Sequence, residues 1–151
     1  CFDKQLYCQE CIVKQHKDNL FHELEKWNSC FFERCSLQSL RLRLQLCHPF
    51  EDGCVRPTPS FSDVFTVITS HCLVPVSVNY CRCMTAVLHN LQLLRFGLFP
   101  AMTTDPQTAA TFKVLRLFQI LTFSFKVSGY EFYQSLVQLT NNTGGPVPVS
   151  C

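Results

Sequence analysis

Leu40-Arg41-Leu42-Arg43-Leu44-Gln45-Leu46 alternates apolar and polar residues without a break. Successive side chains of a strand point to opposite faces, so the four leucines share one face and the run predicts a half-buried strand. Ser36 stands just before it as the cap of a short turn. Beyond the breakers Pro49, Gly53, Pro57 and Pro59, residues 64–68 and 74–78 are rich in Val, Ile and Phe. They predict an antiparallel pair joined across residues 69–73. Pro75 has no N–H to give to a ladder, which places the second strand at a sheet edge or the residue at a strand start.

From Met84 the apolar period becomes helical. Val87, Leu88, Leu91 and Leu94, with Arg95, form one amphipathic face that should stop near Gly97 and Pro100. Thr104-Asp105-Pro106 has the form of a helix start, and Phe112, Leu115, Phe118, Leu121 and Phe125 make a long apolar stripe behind it. Ser128-Gly129-Tyr130-Glu131 reads as a capping box opening a last helix through Phe132, Leu136 and Leu139. The expectation is an α+β chain in four parts. Residues 1–27 form a zinc knuckle, 28–83 a small antiparallel sheet with a second metal site, 84–140 a group of about three helices, and 141–151 a linker.

Hydrophobic residues make up 47% of the 151 positions and charged ones 16%. That supplies enough apolar surface to offset the entropy of folding, so a packed globule is expected rather than a disordered tail. The richest apolar stretches are cut by Arg82, Arg95, Lys113 and Arg116, too soon for a membrane span. The chain opens at Cys1 rather than Met, which leaves any targeting signal unread. A net charge of +2 is too small to demonstrate nucleic-acid binding, and a mixed solvated surface accounts for it equally well.

Eleven cysteines and five histidines are the most telling count. An odd number of thiols suits a complete disulfide framework poorly, and several lie at metal spacings beside His, which favours zinc in a reducing compartment. The first candidate is Cys8-x2-Cys11-x4-His16-x5-His22. Two thiolates on a tight turn, followed by two imidazoles at the start of a helix, can complete one tetrahedral site. The pattern resembles the latter half of a B-box finger, with Cys1 as a further candidate ligand. Such a polar segment has little core of its own and should depend on metal to fold.

The second candidate is discontinuous: His48 and Cys54 after the alternating strand, Cys81 and Cys83 after the edge strand, with Cys47 as a substitute ligand. Two Cys one residue apart cannot bridge each other without strain, but both can ligate one metal at a strand end. Buried free thiols would also fit this spacing. Cys30, Cys35, Cys72 and Cys151 have no partner at a useful spacing, and His71 and His89 carry no second signal.

Catalysis finds little support. After residue 52 the carboxylates are Asp63, Asp105 and Glu131 alone, too few for two-metal phosphoryl transfer. No local signature marks a Cys nucleophile with its base, and no Gly-rich phosphate loop occurs.

Several longer stretches share a pattern. Cys8-Gln9-Glu10-Cys11 with His16 and His22, Glu25-Lys26-Trp27-Asn28, residues 42–48, Cys81-Arg82-Cys83 and Gln92-Leu93-Leu94-Arg95 belong to it. So do Phe99-Pro100-Ala101, residues 103–112, residues 126–133 and Asn141-Asn142-Thr143-Gly144. Together they resemble the cysteine-cluster domain associated with KDZ (Kyakuja-Dileera-Zisupton) transposases, found mostly in fungi. Cys47 and Arg82 stand where that pattern usually has glycine.

The resemblance implies one or two structural Zn²⁺ sites, at Cys8, Cys11, His16 and His22 and at His48, Cys54, Cys81 and Cys83. It implies a non-catalytic module that precedes an RNase H-like core, works in the nucleus, and assists transposon-DNA recognition or complex assembly. The implied partners are transposon DNA and the protein's own catalytic core or further copies of it, with no membrane and no small-molecule substrate. Lys14, Lys17, Arg41 and Arg43 lie beside the zinc sites and are the candidate phosphate contacts. A B-box-like protein-interaction module without DNA contact is the alternative, and a small cysteine hydrolase a third reading.

Overall fold

The computed structural model describes residues 6–16, 21–22, 24–48, 53–60 and 64–141. Its elements begin with helix α1 (Gln9–Gln15) and the hairpin β1 (Leu24–Trp27) and β2 (Phe32–Cys35). Strands β3 (Arg43–Gln45), β4 (Pro57–Pro59), β5 (Phe65–Ile68) and β6 (Leu73–Cys81) follow. Helix α2 (His89–Arg95), strands β7 (Leu98–Pro100) and β8 (Thr108–Thr111), and helices α3 (Phe112–Phe125) and α4 (Gly129–Thr140) complete them.

The alternating run behaves as its pattern dictates: Leu42, Leu44 and Leu46 are buried while Arg41 and Arg43 face out. Only its second half extends, because residues 37–41 turn, with Arg41 in the left-handed region at φ 64°. β5 and β6 pair antiparallel as expected, with Phe65 opposite Val76 and Ile68 opposite Leu73. Pro75 sits near the start of β6 opposite Thr66, and β3 and β4 join β6 only from Ser77 onward. At Pro75, then, β5 alone lies beside the strand, and the missing N–H leaves no ladder bond unmade.

The sheet is mixed rather than antiparallel, which corrects the expected architecture. Its order is β3-β6-β5-β8-β7, with β4 also on β6. β3 runs parallel to β6 and β5 parallel to β8, whereas β4 and β7 pair antiparallel with β6 and β8. Parallel neighbours require crossovers, and here the long excursions through residues 46–72 and 69–107 supply them. Two of the sheet's strands, β7 and β8, therefore come from the part of the chain whose period reads as helical.

Two helix expectations are likewise revised. Thr104-Asp105-Pro106 does not open a helix, because residues 108–111 are captured as β8 between β5 and β7, and α3 starts at Phe112 with Thr111 as its N-cap. On α2 the buried residues are Gln92 and Leu93, while Leu88 and Leu91 face solvent. The Phe112 to Phe125 stripe is only partly covered, with both of its ends exposed. The Ser128 capping box forms in full: the Ser128 hydroxyl accepts from the Glu131 N–H and the Glu131 carboxylate accepts from the Ser128 N–H.

The main core gathers Leu42, Leu44, Leu46, Phe65, Val67, Val76 and Val78 with Leu93 and Leu98. Ile12, Val13 and Phe21 pack against it from the N-terminal segment, which thus borrows the sheet's core. A smaller cluster of Leu73, Val114 and Leu136 joins α3 and α4 to the sheet. No helix among the described residues is long and apolar enough to cross a membrane.

Candidate metal centre

The sheet topology decides where the thiols meet. β3 ends at Gln45 and delivers His48 three residues on; β4 begins at Pro57 with Cys54 three residues before it; β6 ends at Cys81, with Cys83 just beyond. Because β3 and β4 both pair with the last part of β6, these ends converge at one end of the sheet. Gly53, at φ 57°, makes the left-handed turn that leads into Cys54.

The ligand atoms of His48, Cys54, Cys81 and Cys83 all lie within 4.8 Å of one another. His48 Nε2 is 3.2 Å from Cys81 Sγ and 3.6 Å from Cys83 Sγ, and Cys54 Sγ is 3.7 Å from Cys83 Sγ. With Zn–S bonds of about 2.3 Å and Zn–N bonds of about 2.0–2.1 Å, a tetrahedron has S···S edges of about 3.8 Å and S···N edges of about 3.6 Å. The four side chains therefore fit a single tetrahedral ion, and their donor set suits a structural site.

Their environment prepares them unequally. Hydrogen bonds from the thiol of Cys81, then from Cys54 and His48, hold the Cys83 thiol down at about 7. At Cys81 the backbone N–H of Cys83, 3.4 Å from Sγ, acts in the lowering direction. Burial and the neighbouring thiols outweigh it and push Cys81 up to about 11. A cation at the centre of the four would favour every thiolate at once and remove this opposition.

Gln92 fixes the strand end, and the apolar periodicity of its segment does not mark it. Buried at 1% exposure, its Oε1 accepts from the Cys81 N–H at 2.8 Å. Its Nε2 donates to the Cys81 carbonyl at 2.9 Å and to the Val87 carbonyl at 2.8 Å. The side chain thus serves as one more ladder partner for the peptide that presents Cys81. The signal available in the sequence was its place in the Gln92-Leu93-Leu94-Arg95 stretch of the shared pattern.

Cys47 is not part of the four-residue group. It is exposed, its thiol is pushed up chiefly by partial burial, and its backbone lies at φ 67°. That left-handed conformation is one glycine adopts freely, which gives a physical reason for the glycine usual at this place. Arg82 has no positive φ, and nothing in the structure explains a glycine there.

The N-terminal motif arrives as two pairs. Cys8 Sγ lies 2.9 Å from Cys11 Sγ, and the Cys11 N–H points at Cys8 Sγ at 3.4 Å. His16 Nε2 lies 3.1 Å from His22 Nδ1. The helix falls between the pairs instead of after them, since α1 has Cys8 as N-cap and His16 as C-cap. Cys1 and Lys17 lie outside the described residues, as does Cys151. Lys14 is exposed in the last turn of α1, Arg41 is exposed in its turn, and Arg43 donates to Asn79 Oδ1 at 2.9 Å. Cys30 is exposed, Cys35 half-buried beside Ser39, and Cys72 buried against Thr69. His89 stacks on Tyr80 with ring centroids 4.0 Å apart, and His71 is exposed.

Fold and site together define a small α+β module built to hold a metal ion at a cysteine- and histidine-lined sheet end. The family model of the CxC2-like cysteine cluster associated with KDZ transposases matches residues 37–144, and the chain belongs to that family. The matched span contains all four of the convergent ligands. The domain is an accessory cysteine cluster and not a catalytic fold. Neither the curated proteins nor the solved structures contain a match.

Proposed function

We propose that this chain is the non-catalytic, zinc-binding module of a KDZ-type DNA transposase, acting in the nucleus beside the catalytic core to hold transposon DNA or to assemble the complex that cuts it. The observation that carries this is the convergent His48, Cys54, Cys81 and Cys83 group inside the span matched by the family. Three thiolates and an imidazole are the ligand set of a closed structural Zn²⁺ site, in which the ion cross-links the chain and leaves no open position for a substrate. The residues themselves tie β3, β4 and β6 together at one end of the sheet. A rigid platform of that kind serves recognition better than chemistry.

Phosphate contacts would come from Lys14, Lys17, Arg41 and Arg43. With Arg43 already hydrogen-bonded to Asn79, the set is small, so affinity for duplex DNA should be low, on the order of 10⁻⁴ to 10⁻⁶ M. The test is a salt titration of duplex binding by the zinc-loaded protein and its Lys14→Ala, Arg41→Ala double variant. The wild type should weaken steeply with salt, and the variant should show a shallower slope. No binding at low salt, or identical slopes, removes the DNA role. Trp27, Phe31 and Phe32 crowd the exposed β1–β2 hairpin, with Trp27 and Phe32 rings 5.0 Å apart. That cluster favours the alternative, a protein-interaction module, as the reading to take up if DNA binding fails.

A further inference from the structure

The sheet end that gathers His48 also gathers the thiols of Cys54, Cys81 and Cys83, and they are not equally placed to join one another. Cys81 and Cys83 are one residue apart, a spacing that does not close a disulfide without strain. Cys81 is buried on β6 opposite Pro57, three residues beyond Cys54, and its N–H and carbonyl are both held by Gln92. Cys54 and Cys83 come instead from separate segments that already run side by side. Past the paired ends of β4 and β6 the Arg82 N–H donates to the Arg56 carbonyl at 3.1 Å, which carries the pairing one step toward Cys83.

Cys54 Sγ lies 3.7 Å from Cys83 Sγ, and both thiols are half-buried, so a small solute reaches them where it does not reach Cys81. A disulfide holds its sulfurs at about 2.0 Å, so the pair must close by roughly 1.7 Å, which rotation about χ1 at the two side chains can supply. Cys47 is exposed but stands outside the group.

We propose that Cys54 and Cys83 are a reversible disulfide site, closed by hydroperoxides and reopened by thiols. One thiolate of the pair attacks a peroxide oxygen: an S–O bond forms, the O–O bond breaks, and hydroxide leaves to take up the proton that the thiol gave. The other thiolate attacks the sulfur of the resulting sulfenic acid: the S–S bond forms, the S–O bond breaks, and a second hydroxide leaves and is protonated in the same way. The pair thus gives up two electrons and two protons, and hydrogen peroxide becomes water. A small thiol reverses the link by exchange.

Closing the disulfide takes Cys54 and Cys83 from the four-residue group and leaves His48 and Cys81, too few to hold a closed zinc site. The link ties the approach to β4 to the end of β6, so this end of the sheet stays joined after an ion has left. The disulfide rests on the thiols alone, whereas the release of metal rests on the zinc reading of the His48 centre.

The test treats the full chain, reduced and either zinc-loaded or zinc-free, with hydrogen peroxide, alkylates the remaining thiols and maps the peptides by mass spectrometry. Cleavage after Arg82 separates Cys81 from Cys83, and cleavage after Glu51 separates Cys47 from Cys54. A Cys54–Cys83 link is expected, with Cys81 alkylated and the link lost on treatment with dithiothreitol. In a Cys8→Ser, Cys11→Ser chain, where no N-terminal thiol contributes, a chromogenic chelator should register zinc leaving in step with the link. A main product that joins Cys81 or Cys47 to another cysteine, or Cys54 and Cys83 found unlinked after oxidation, overturns the proposal, and the wild type alone decides this. A link that forms while zinc stays bound overturns the coupling to metal. If the untreated chain holds no zinc, the zinc reading fails, and the linkage in the zinc-free chain still decides the disulfide.

Discussion

At the residue scale, Cys47 separates backbone strain from metal chemistry. Its φ of 67° places an L side chain in the left-handed region, where crowding of Cβ costs roughly 1–2 kcal/mol. Glycine escapes that cost and loses about 0.5–1 kcal/mol of unfolded-chain freedom in return. Cys47→Gly should therefore leave stability unchanged or raise it by up to about 1 kcal/mol, as read from denaturant unfolding of the zinc-loaded protein. Zinc content should not change, because Cys47 stands outside the His48, Cys54, Cys81 and Cys83 group. Release of zinc by this substitution would make Cys47 a ligand and dissolve the four-residue geometry. The same scale explains the unequal thiols. Hydrogen bonds from Cys81, Cys54 and His48 lower the Cys83 thiol to about 7, whereas at Cys81 the lowering hydrogen bond from the Cys83 N–H is outweighed by burial and the neighbouring thiols, which raise it to about 11.

At the scale of elements, the end of β6 is held by α2 through one side chain. Replacing Gln92 with Leu preserves apolar bulk but strands the Cys81 N–H and carbonyl, each of which costs about 1–3 kcal/mol when buried without a partner. Second-sphere partners of this kind shift metal affinity by about 10–100-fold, so Gln92→Leu should weaken zinc binding by that order in a chelator competition. Gln92→Glu, which keeps the acceptor for the Cys81 N–H, should fall between. If affinity is unchanged while stability drops, Gln92 only fills the core. What was legible in the sequence follows the range of the forces involved. The Ser128 capping box and the Leu42, Leu44, Leu46 alternation are written within a few residues and appear as read. The convergence of His48, Cys54, Cys81 and Cys83 was legible because each ligand lies at or near the end of a strand. The buried face of α2 was not, since an outward Leu88 and Leu91 and an inward Gln92 make sense only once the Cys81 peptide needs a partner. Thr108–Thr111 was likewise lost to a helix reading, because its strand state depends on β5 and β7, both distant in sequence or set by the turn before it.

At the scale of the whole molecule, the question is which parts need the ion. The main core packs Leu44, Leu46, Phe65, Val67, Val76 and Val78 without any metal ligand except through the chain that carries Cys81. The second cluster, Leu73 with Val114 and Leu136, lies with α3 and α4. His48 and Cys54 bracket the connection between β3 and β4, so an ion held by the four residues would close that connection as well as join strand ends, and its removal would return the closure entropy. Loss of metal should therefore open one end of the sheet and leave the other in place. Hydrogen exchange after chelation at neutral pH should speed up in residues 44–46, 58–60 and 78–82, while the amides of β5, β8 and the interior of α3 keep their protection. Exchange that accelerates uniformly across β5, α3 and α4 would mean that the ion organises the entire fold. Unchanged exchange at the end of β6 would mean that the four ligands are held by packing alone, and the structural role of the metal would be lost.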